Sequence, residues 1–391
     1  MKPASPMRAF GALWFCYFAA IGSFNPFAPL WFKELGFSTL AIGSIASMQA
    51  WTRIIAPYGW GWLGDHGGQR VRVVRWAAGL SLLAAAGLLF TRGYTAVAIC
   101  TALLFLANGG VVPQTEALVA RHLSHGGGLD AGRYGRVRMW GSMGFILAVL
   151  LFGVVLDRAG IGLFPWLVLA MYGLLLAASF GLPGGPEPAQ GPSEAPAVLS
   201  VLRQPAVAWF FASIFFTVLA HTSLYTFFSL YLDAQGMGKS TVGALWAVSV
   251  AAEIAFFWWQ GRFFDRLPPH AWLQWAAAAS VLRFVAVAAF GAHVAVLVLA
   301  QALHALTFAG QHAACIALIA RHFPGPLRGR GQALYSVLGY GLSGVVGGLA
   351  GGWLSSRFGF AAVFWAASAA AAVGWWCATR SRRADSLPTP P

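Results

Sequence analysis

The chain of 391 residues is 59% hydrophobic and only 9% charged, whereas soluble domains carry about one quarter charged residues. This composition excludes a water-soluble fold, because a domain of this length cannot bury so much apolar surface. The formal net charge of +14 does not indicate nucleic-acid binding, since the arginines are spread along the chain and form no single basic patch interleaved with aromatic residues.

Apolar stretches of about twenty residues recur along the whole sequence, each long enough to cross a membrane as a helix. In chain order they cover residues 10–32, 39–63, 71–90, 94–120, 134–156, 160–182, 205–232, 241–264, 271–292, 293–320, 332–355 and 360–378. The first stretch has the basic start of a signal peptide, but its length and the spans that follow favour an uncleaved helix. We therefore predict an all-α membrane protein with twelve transmembrane helices.

Basic residues are distributed unequally between the two ends of these spans. With both termini placed in the cytoplasm, the cytoplasmic ends and loops hold eighteen lysines and arginines, and the outer loops hold five. An excess of basic residues marks the cytoplasmic side of membrane proteins. The sequence therefore predicts a multi-pass protein of a bacterial inner membrane with both termini in the cytoplasm.

The two halves of the sequence match at an offset of two hundred residues. The segment Ala117–His122 reads ALVARH, and the segment Ala317–His322 reads ALIARH. An even number of spans separates the matched positions, so the two copies have the same orientation and form a parallel repeat. We predict one six-helix bundle over residues 1–182 and a second over 205–379. A cytoplasmic linker at 183–204 and a flexible tail at 380–391 complete the chain, both rich in residues that disfavour packed structure.

Two loops at matching places of the repeat combine glycine, aspartate and arginine. The first contains Gly61, Asp65, Arg70 and Arg72, and the second contains Gly261, Asp265 and Arg266. Either loop alone is typical of an ordinary glycine turn capped by an aspartate. Two copies at matching positions favour a role in gating.

The first loop carries a family resemblance. Residues 61–68 resemble the loop signature Gly-x-Leu-x-Asp-Arg-x-Gly of the major facilitator superfamily, with His66 where that family usually has arginine. Three other segments resemble the phenylpropionate permease branch, a relative of lactose permease: Tyr134–Ser142, Glu253-Ile254 and Leu282-Arg283. The resemblance implies the major facilitator fold and secondary transport by alternating access, commonly coupled to protons, with no cofactor.

Ionisable side chains within the spans are costly and point to function. Glu253 and Arg283 lie at similar predicted depths in neighbouring helices, and we predict that they interact, either as a proton-coupling pair or as a structural ion pair. Arg53 precedes Glu253 by two hundred residues and is a candidate for substrate attraction or gating. Glu116 and Arg138 form a second candidate pair, as a sugar-binding site implied by the resemblance to lactose permease or as an inner-gate salt bridge.

Polar side chains at helical spacing predict a path through the spans. The candidates are Gln301, His304 and His312 in the tenth span, His221 and Tyr225 in the seventh, and Asn25 in the first. For a lone histidine a neutral, hydrogen-bonded role is the commoner one, whereas a stripe shared with glutamine favours a water-facing surface. The four cysteines have no metal-ligand spacing.

These features favour a proton-coupled importer of a small organic solute, either an aromatic or other organic acid or a sugar-like compound. A proton-driven exporter and a non-transporting membrane sensor are the alternatives. We find no constellation typical of an enzyme and no nucleotide-binding loop of an ATP-driven pump. The expected partners are the solute, protons and lipid, with no nucleic acid, and one chain is expected to act as a monomer.

Overall fold

The computed structural model describes residues 6–125, 128–184 and 198–386. In these residues seventeen α-helices are found: α1 Pro6–Phe24, α2 Ala28–Glu34, α3 Thr39–Gly67, α4 Arg70–Phe90, α5 Tyr94–Asn108, α6 Val111–Leu123, α7 Ala131–Ala159, α8 Phe164–Ser179, α9 Leu199–Leu202, α10 Pro205–Ala234, α11 Lys239–Trp259, α12 Pro269–Phe290, α13 Val294–Ala302, α14 Gln311–His322, α15 Arg328–Leu334, α16 Ser343–Phe358 and α17 Phe360–Asp385. Two π-helical segments, Ala305–Gly310 and Tyr335–Leu342, join α13 to α14 and α15 to α16. The only strands in this part of the chain are β1 Ser124–His125 and β2 Gly128–Leu129, a two-residue antiparallel pair.

Eleven stretches of the described helices are long and apolar enough to cross a membrane. The prediction of a multi-pass, helical membrane protein is therefore confirmed. The remaining predicted span, 39–63, lies in α3, which is a continuous helix of 29 residues but is not among the eleven. Its polar residues, Gln49 and Arg53 among them, lower its mean hydropathy. The number of twelve spans and the parallel repeat stay predictions.

The chain divides into two compact units. The first contains Met1–Phe37, Trp51–Pro192 and Met237–Ala247, and the second contains Ser38–Ala50, Ser193–Gly236 and Val248–Pro391. Both α3 and α11 therefore contribute their first turns to one unit and their later turns to the other. Most of the predicted linker lies outside the described residues.

Within the first unit, α1 packs against α7 and α8, and α4 packs against α5 and α8. Within the second unit, α10 packs against α16 and α17, and α12 packs against α14 and α17. Each interior contains large buried side chains, such as Phe24 and Phe164 in the first unit and Phe210 and Phe284 in the second. Burial of these side chains fixes the helices that carry the polar residues of both units.

Glycine brings backbone to backbone at corresponding points of the two units. In the second unit, a Cβ added at Gly43 would overlap the carbonyl oxygen of Gly348. In the first unit, a Cβ added at Gly243 would overlap the carbonyl oxygen of Val149. The two glycines are two hundred residues apart. Small residues at helix crossings allow this approach inside a membrane. In the second unit the same crossing is closed by a hydrogen bond of 2.8 Å from Ser47 Oγ to the carbonyl oxygen of Val345.

The first turn of α11 is capped by a side chain from α7. The Asp157 carboxylate accepts hydrogen bonds from the backbone N–H groups of Lys239 (2.6 Å) and Ser240 (2.7 Å). These N–H groups have no partner within their own helix, and a negative charge also suits the positive end of the helix dipole. Asp157 therefore holds the start of α11 in the first unit.

The prediction of a flexible tail from residue 380 is wrong for its first part, because α17 continues to Asp385. Side chains in the last turns of α17 contact other helices of the second unit. Arg382 donates a hydrogen bond to Gln274 Oε1 at 3.0 Å, and the Asp385 carboxylate contacts His270 and Arg321. Composition alone could not reveal these long-range contacts.

We expect Gly43→Ala and Gly243→Ala each to lower the free energy of unfolding by about 1–3 kcal/mol, because the added methyl group forces two packed backbones apart. The measurement is the melting temperature of the purified protein in detergent. Gly59→Ala is the matched control, since it adds a methyl group in a helix where nothing lies within 4 Å. Equal melting temperatures for all three variants would contradict the close approach.

Candidate functional site

The second unit contains a fully buried arginine. Arg283 in α12 is 0% exposed. Its Nη1 donates hydrogen bonds to His304 Nδ1 and Thr307 Oγ1, both at 2.9 Å, and its Nη2 donates to Gln301 Oε1 at 2.5 Å. Its Nε has no hydrogen-bond partner among the described residues. The hydrogen bonds of this cation therefore go to neutral side chains.

The arginine determines the proton position on its histidine. A guanidinium has donors and no acceptor, so His304 Nδ1 must carry a lone pair and accept. The imidazole is then neutral, with its proton on Nε2. Protonation of Nδ1 would place two cationic donors against each other, so the contact and a charged His304 exclude one another.

A neighbouring helix closes the arginine cluster. Ser249 Oγ in α11 donates a hydrogen bond to Gln301 Oε1 at 2.6 Å, the same oxygen that accepts from Arg283. Glu253 follows Ser249 by one helical turn, about 6 Å along α11, and is half-buried. α11 thus brings the predicted carboxylate close to the cluster. The direct interaction of Glu253 with Arg283 stays a prediction.

Aromatic and histidine rings continue from the cluster along the π-helical segments. The rings of His304 and Phe308 stack with centroids 4.9 Å apart, and those of Phe308 and His312 stack at 6.2 Å. His312 Nδ1 lies 3.1 Å from the Tyr335 hydroxyl, which lies 3.2 Å from the hydroxyl of Tyr340. The predicted stripe of the tenth span therefore forms a continuous row of side chains. Segments of π-helix are frequent at functional sites.

A second histidine borders the same cluster. The His221 ring centroid lies 6.2 Å from that of His304 and 6.3 Å from that of Tyr225. His221 Nδ1 is 2.8 Å from the Thr217 carbonyl oxygen, which can only accept, so Nδ1 carries the proton. His221 Nε2 is buried without a hydrogen-bond partner among the described residues.

In the first unit the predicted charges have aromatic neighbours. Glu116 Oε1 accepts a hydrogen bond of 3.0 Å from the Tyr134 hydroxyl. The Arg138 guanidinium lies over the rings of Phe18 and Trp14, at 4.2 and 5.1 Å from their centroids. Such cation–π contacts stabilise a guanidinium away from water. The ion pair of Glu116 with Arg138 stays a prediction.

Tyr17 is near two arginines of the first unit. Arg53 and Arg138 both act on its phenol electrostatically, and Asn108 is its hydrogen-bonding neighbour. Arg53 is exposed in the structure. The first unit therefore has two arginines near one half-buried phenol, as the second unit has an arginine near two histidines.

For the two predicted loop motifs the structure gives little evidence of a gating role. A Cβ at Gly61 or at Gly261 would meet nothing within 4 Å, so space does not require glycine at either position. Asp265 and Arg266 form a short 3₁₀ turn, Phe264–Arg266, whereas the side chain of Asp65 lies outside the description. Asn25 lies in the turn between α1 and α2. The gating role of these loops stays a prediction.

Several residues of these candidate sites were not selected from the sequence. Thr307 and Ser249 contact the arginine cluster, Tyr134 contacts Glu116, and Tyr335 contacts His312. Helical spacing gives a partial signal, because Tyr134 lies one turn before Arg138 and Thr307 one turn after His304. Serine, threonine and tyrosine are nevertheless common in membrane helices, where most form ordinary helix contacts.

We expect Thr307→Val to lower the free energy of unfolding by about 1–3 kcal/mol, since a buried N–H of Arg283 would lose its acceptor. Thr307→Ser keeps the hydroxyl and serves as the control. The melting temperature in detergent should fall for valine and stay near the wild-type value for serine. If valine melts like the wild type, the hydroxyl is not needed by the arginine.

Comparison with known proteins supports the same fold. The chain is 30% identical over 375 residues to a "Probable 3-phenylpropionic acid transporter" of Escherichia coli (strain K12), covering 90% of this chain and 92% of the relative. It is 29% identical over 377 residues to "Maltose permease" of Geobacillus stearothermophilus, covering 92% and 91%. The crystal structure of the nucleoside transporter NupG superimposes with a TM-score of 0.81 at 15% identity, covering 98% of this chain and all of that one.

The resemblance found in the sequence motifs is thereby confirmed. The model of the MFS_1 like family matches residues 8–366, which is most of the chain. Together with the helical architecture and the permease relatives, this match establishes the general function. The chain belongs to the MFS_1 like family and is a membrane transporter of the major facilitator type.

Proposed function

We propose that this transporter carries a small organic acid, preferably an aromatic carboxylate, into the cell together with a proton. The observation that carries the proposal is the fully buried Arg283, whose hydrogen bonds go to the neutral side chains of Gln301, His304 and Thr307. Burial of a charged group costs several kcal/mol unless an opposite charge compensates it. A substrate carboxylate supplies such a charge.

The residues around Arg283 suit exchange of its partners. A carboxylate approaching the guanidinium replaces neutral acceptors such as His304 with charge-assisted, bidentate hydrogen bonds. His304 is then released from the guanidinium. The π-helical segment that begins next to it, Ala305–Gly310, gives the helix a place to adjust during this exchange.

Aromatic rings beside the cations favour an aromatic substrate. Phe284 lies 5.9 Å from the Arg283 guanidinium, and Phe308 stacks on His304. In the first unit Arg138 lies over Phe18 and Trp14. The name of the E. coli relative, a probable 3-phenylpropionic acid transporter, agrees with this substrate class. The name of the second relative, maltose permease, supports a sugar as the alternative.

We expect 3-phenylpropionate to raise the melting temperature of the purified protein, since a ligand of the folded state stabilises it. Its neutral amide should give little shift, and maltose and uridine none. Arg283→Gln should weaken acid binding about 10- to 100-fold, as expected for loss of a charged hydrogen bond, and remove the preference for the acid over the amide. Arg283→Lys keeps the charge and should retain part of that preference.

Two results would contradict the acid as substrate. One is a larger shift with maltose than with the acid, which would favour the sugar. The other is an equal response to acid and amide in the wild type. Both comparisons use the wild-type protein, so they remain decisive even when Arg283→Gln fails to fold.

Proton coupling is assigned to Glu253, one turn from the cluster. We expect Glu253→Gln to abolish uphill uptake driven by a pH gradient in proteoliposomes, because the amide cannot exchange a proton. Counterflow of labelled solute, which needs no net proton movement, should persist. Glu34→Gln, on an exposed part of α2, is the control. Wild-type uphill uptake by Glu253→Gln would refute the assignment.

A further inference from the structure

A cluster of metal-ligand residues lies outside the arginine site, where three helices of the second unit end. His270 is in the first turn of α12, His322 is the last residue of α14, and Asp385 is the last residue of α17. These residues are far apart in sequence and form no ligand motif. The ligand atoms of all three lie within 4.8 Å of one another.

The three side chains are arranged around one carboxylate. His270 Nε2 lies 3.1 Å from Asp385 Oδ2, and His322 Nε2 lies 3.9 Å from Asp385 Oδ1. The two imidazole rings are 6.5 Å apart, edge to face. Each nitrogen therefore faces a different oxygen of the same carboxylate, and the two nitrogens and the carboxylate converge on one space.

These groups are largely buried although they lie at helix ends. The side chains of His322 and Asp385 are 8% and 14% exposed, and His270 is 5% exposed. His322 Nε2 is buried and has no hydrogen-bond partner among the described residues, since 3.9 Å is too long for a hydrogen bond. A buried polar atom without a partner is costly, and a ligand between the nitrogen and the carboxylate removes that cost.

We propose that His270, His322 and Asp385 bind a divalent transition-metal ion, with Zn²⁺ as the best match. Two imidazole nitrogens and one carboxylate oxygen form a ligand set that zinc favours, and water completes the tetrahedron. Softer sites for Cu(I) would need sulfur ligands, and Mg²⁺ or Ca²⁺ would need more oxygens. The bound ion links the ends of α12, α14 and α17 on the side predicted to face the cytoplasm.

One neighbour competes with the metal. The guanidinium of Arg321 is 60% exposed and lies 3.0 Å from Asp385 Oδ2, the oxygen that also contacts His270. Arg382, also near His270, adds positive charge. Arg321 can move into solvent when the ion binds, but its charge opposes a cation. The geometry therefore predicts that removal of this arginine strengthens metal binding.

The test uses the full-length chain without a polyhistidine tag, purified in detergent and freed of metal with EDTA. Addition of Co²⁺ should produce the visible absorption bands of a tetrahedral site, and Zn²⁺ should displace it at one ion per chain by elemental analysis. Zn²⁺ should also raise the melting temperature. Asp385→Asn and His322→Gln should each weaken binding by at least about tenfold, as ligand-shell changes do.

Arg321→Gln gives a prediction of opposite sign: it should tighten Zn²⁺ binding by about tenfold, because it removes a positive charge beside the ion and frees Asp385 from its ion pair. His66→Gln and His293→Gln change exposed histidines elsewhere and should leave the stoichiometry at one. Binding unaffected by Asp385→Asn and His322→Gln, or absent in the wild type, overturns the proposal. In that case the cluster is an ion-pair clamp, and Arg321→Gln lowers the melting temperature with or without Zn²⁺.

Discussion

The buried guanidinium of Arg283 needs hydrogen-bond acceptors, and this need constrains the helices of the second unit that surround it. Arg283 is completely enclosed, and its Nη1 and Nη2 atoms donate to Gln301 of α13, to His304 and to Thr307 of the π-helical segment. Ser249 of α11 joins the same network through Gln301. Because an unmet donor in the membrane interior costs several kcal/mol, the three segments must keep their register around the arginine. Their register in turn sets where Glu253 and His312 lie.

Backbone contacts constrain the helices that carry these groups. Gly43 and Gly243 each bring a helix against a carbonyl oxygen of another, Gly348 in one unit and Val149 in the other. Their positions in the sequence are related by the same offset as the matched helix ends. Contacts of this kind hold packed backbones closely but involve few large side chains.

The charges of this chain illustrate two ways of keeping an ion inside a helical protein. Arg138 is covered by the faces of Phe18 and Trp14, which stabilise a guanidinium without neutralising it. Arg283 is instead held by oriented lone pairs of neutral side chains. In contrast, Asp385 is compensated directly by Arg321 and stands beside two histidines.

The sequence by itself determined the class of protein, since apolar stretches of membrane length and the loop motif are local and one-dimensional signals. It also selected Arg283, Gln301, His304 and His312, because a charge within a span and a polar stripe at helical spacing are visible without coordinates. Only the tertiary structure decided which of these side chains become hydrogen-bond partners. Thr307, Ser249 and Tyr335 became partners only because separate helices converge, and the ordered end of α17 depends on contacts with the distant His270 and Gln274. Composition near residue 380 indicated flexibility, because composition contains no information on distant contacts. The end of a helix is stabilised by the residues that pack against it, and these are not visible in the sequence.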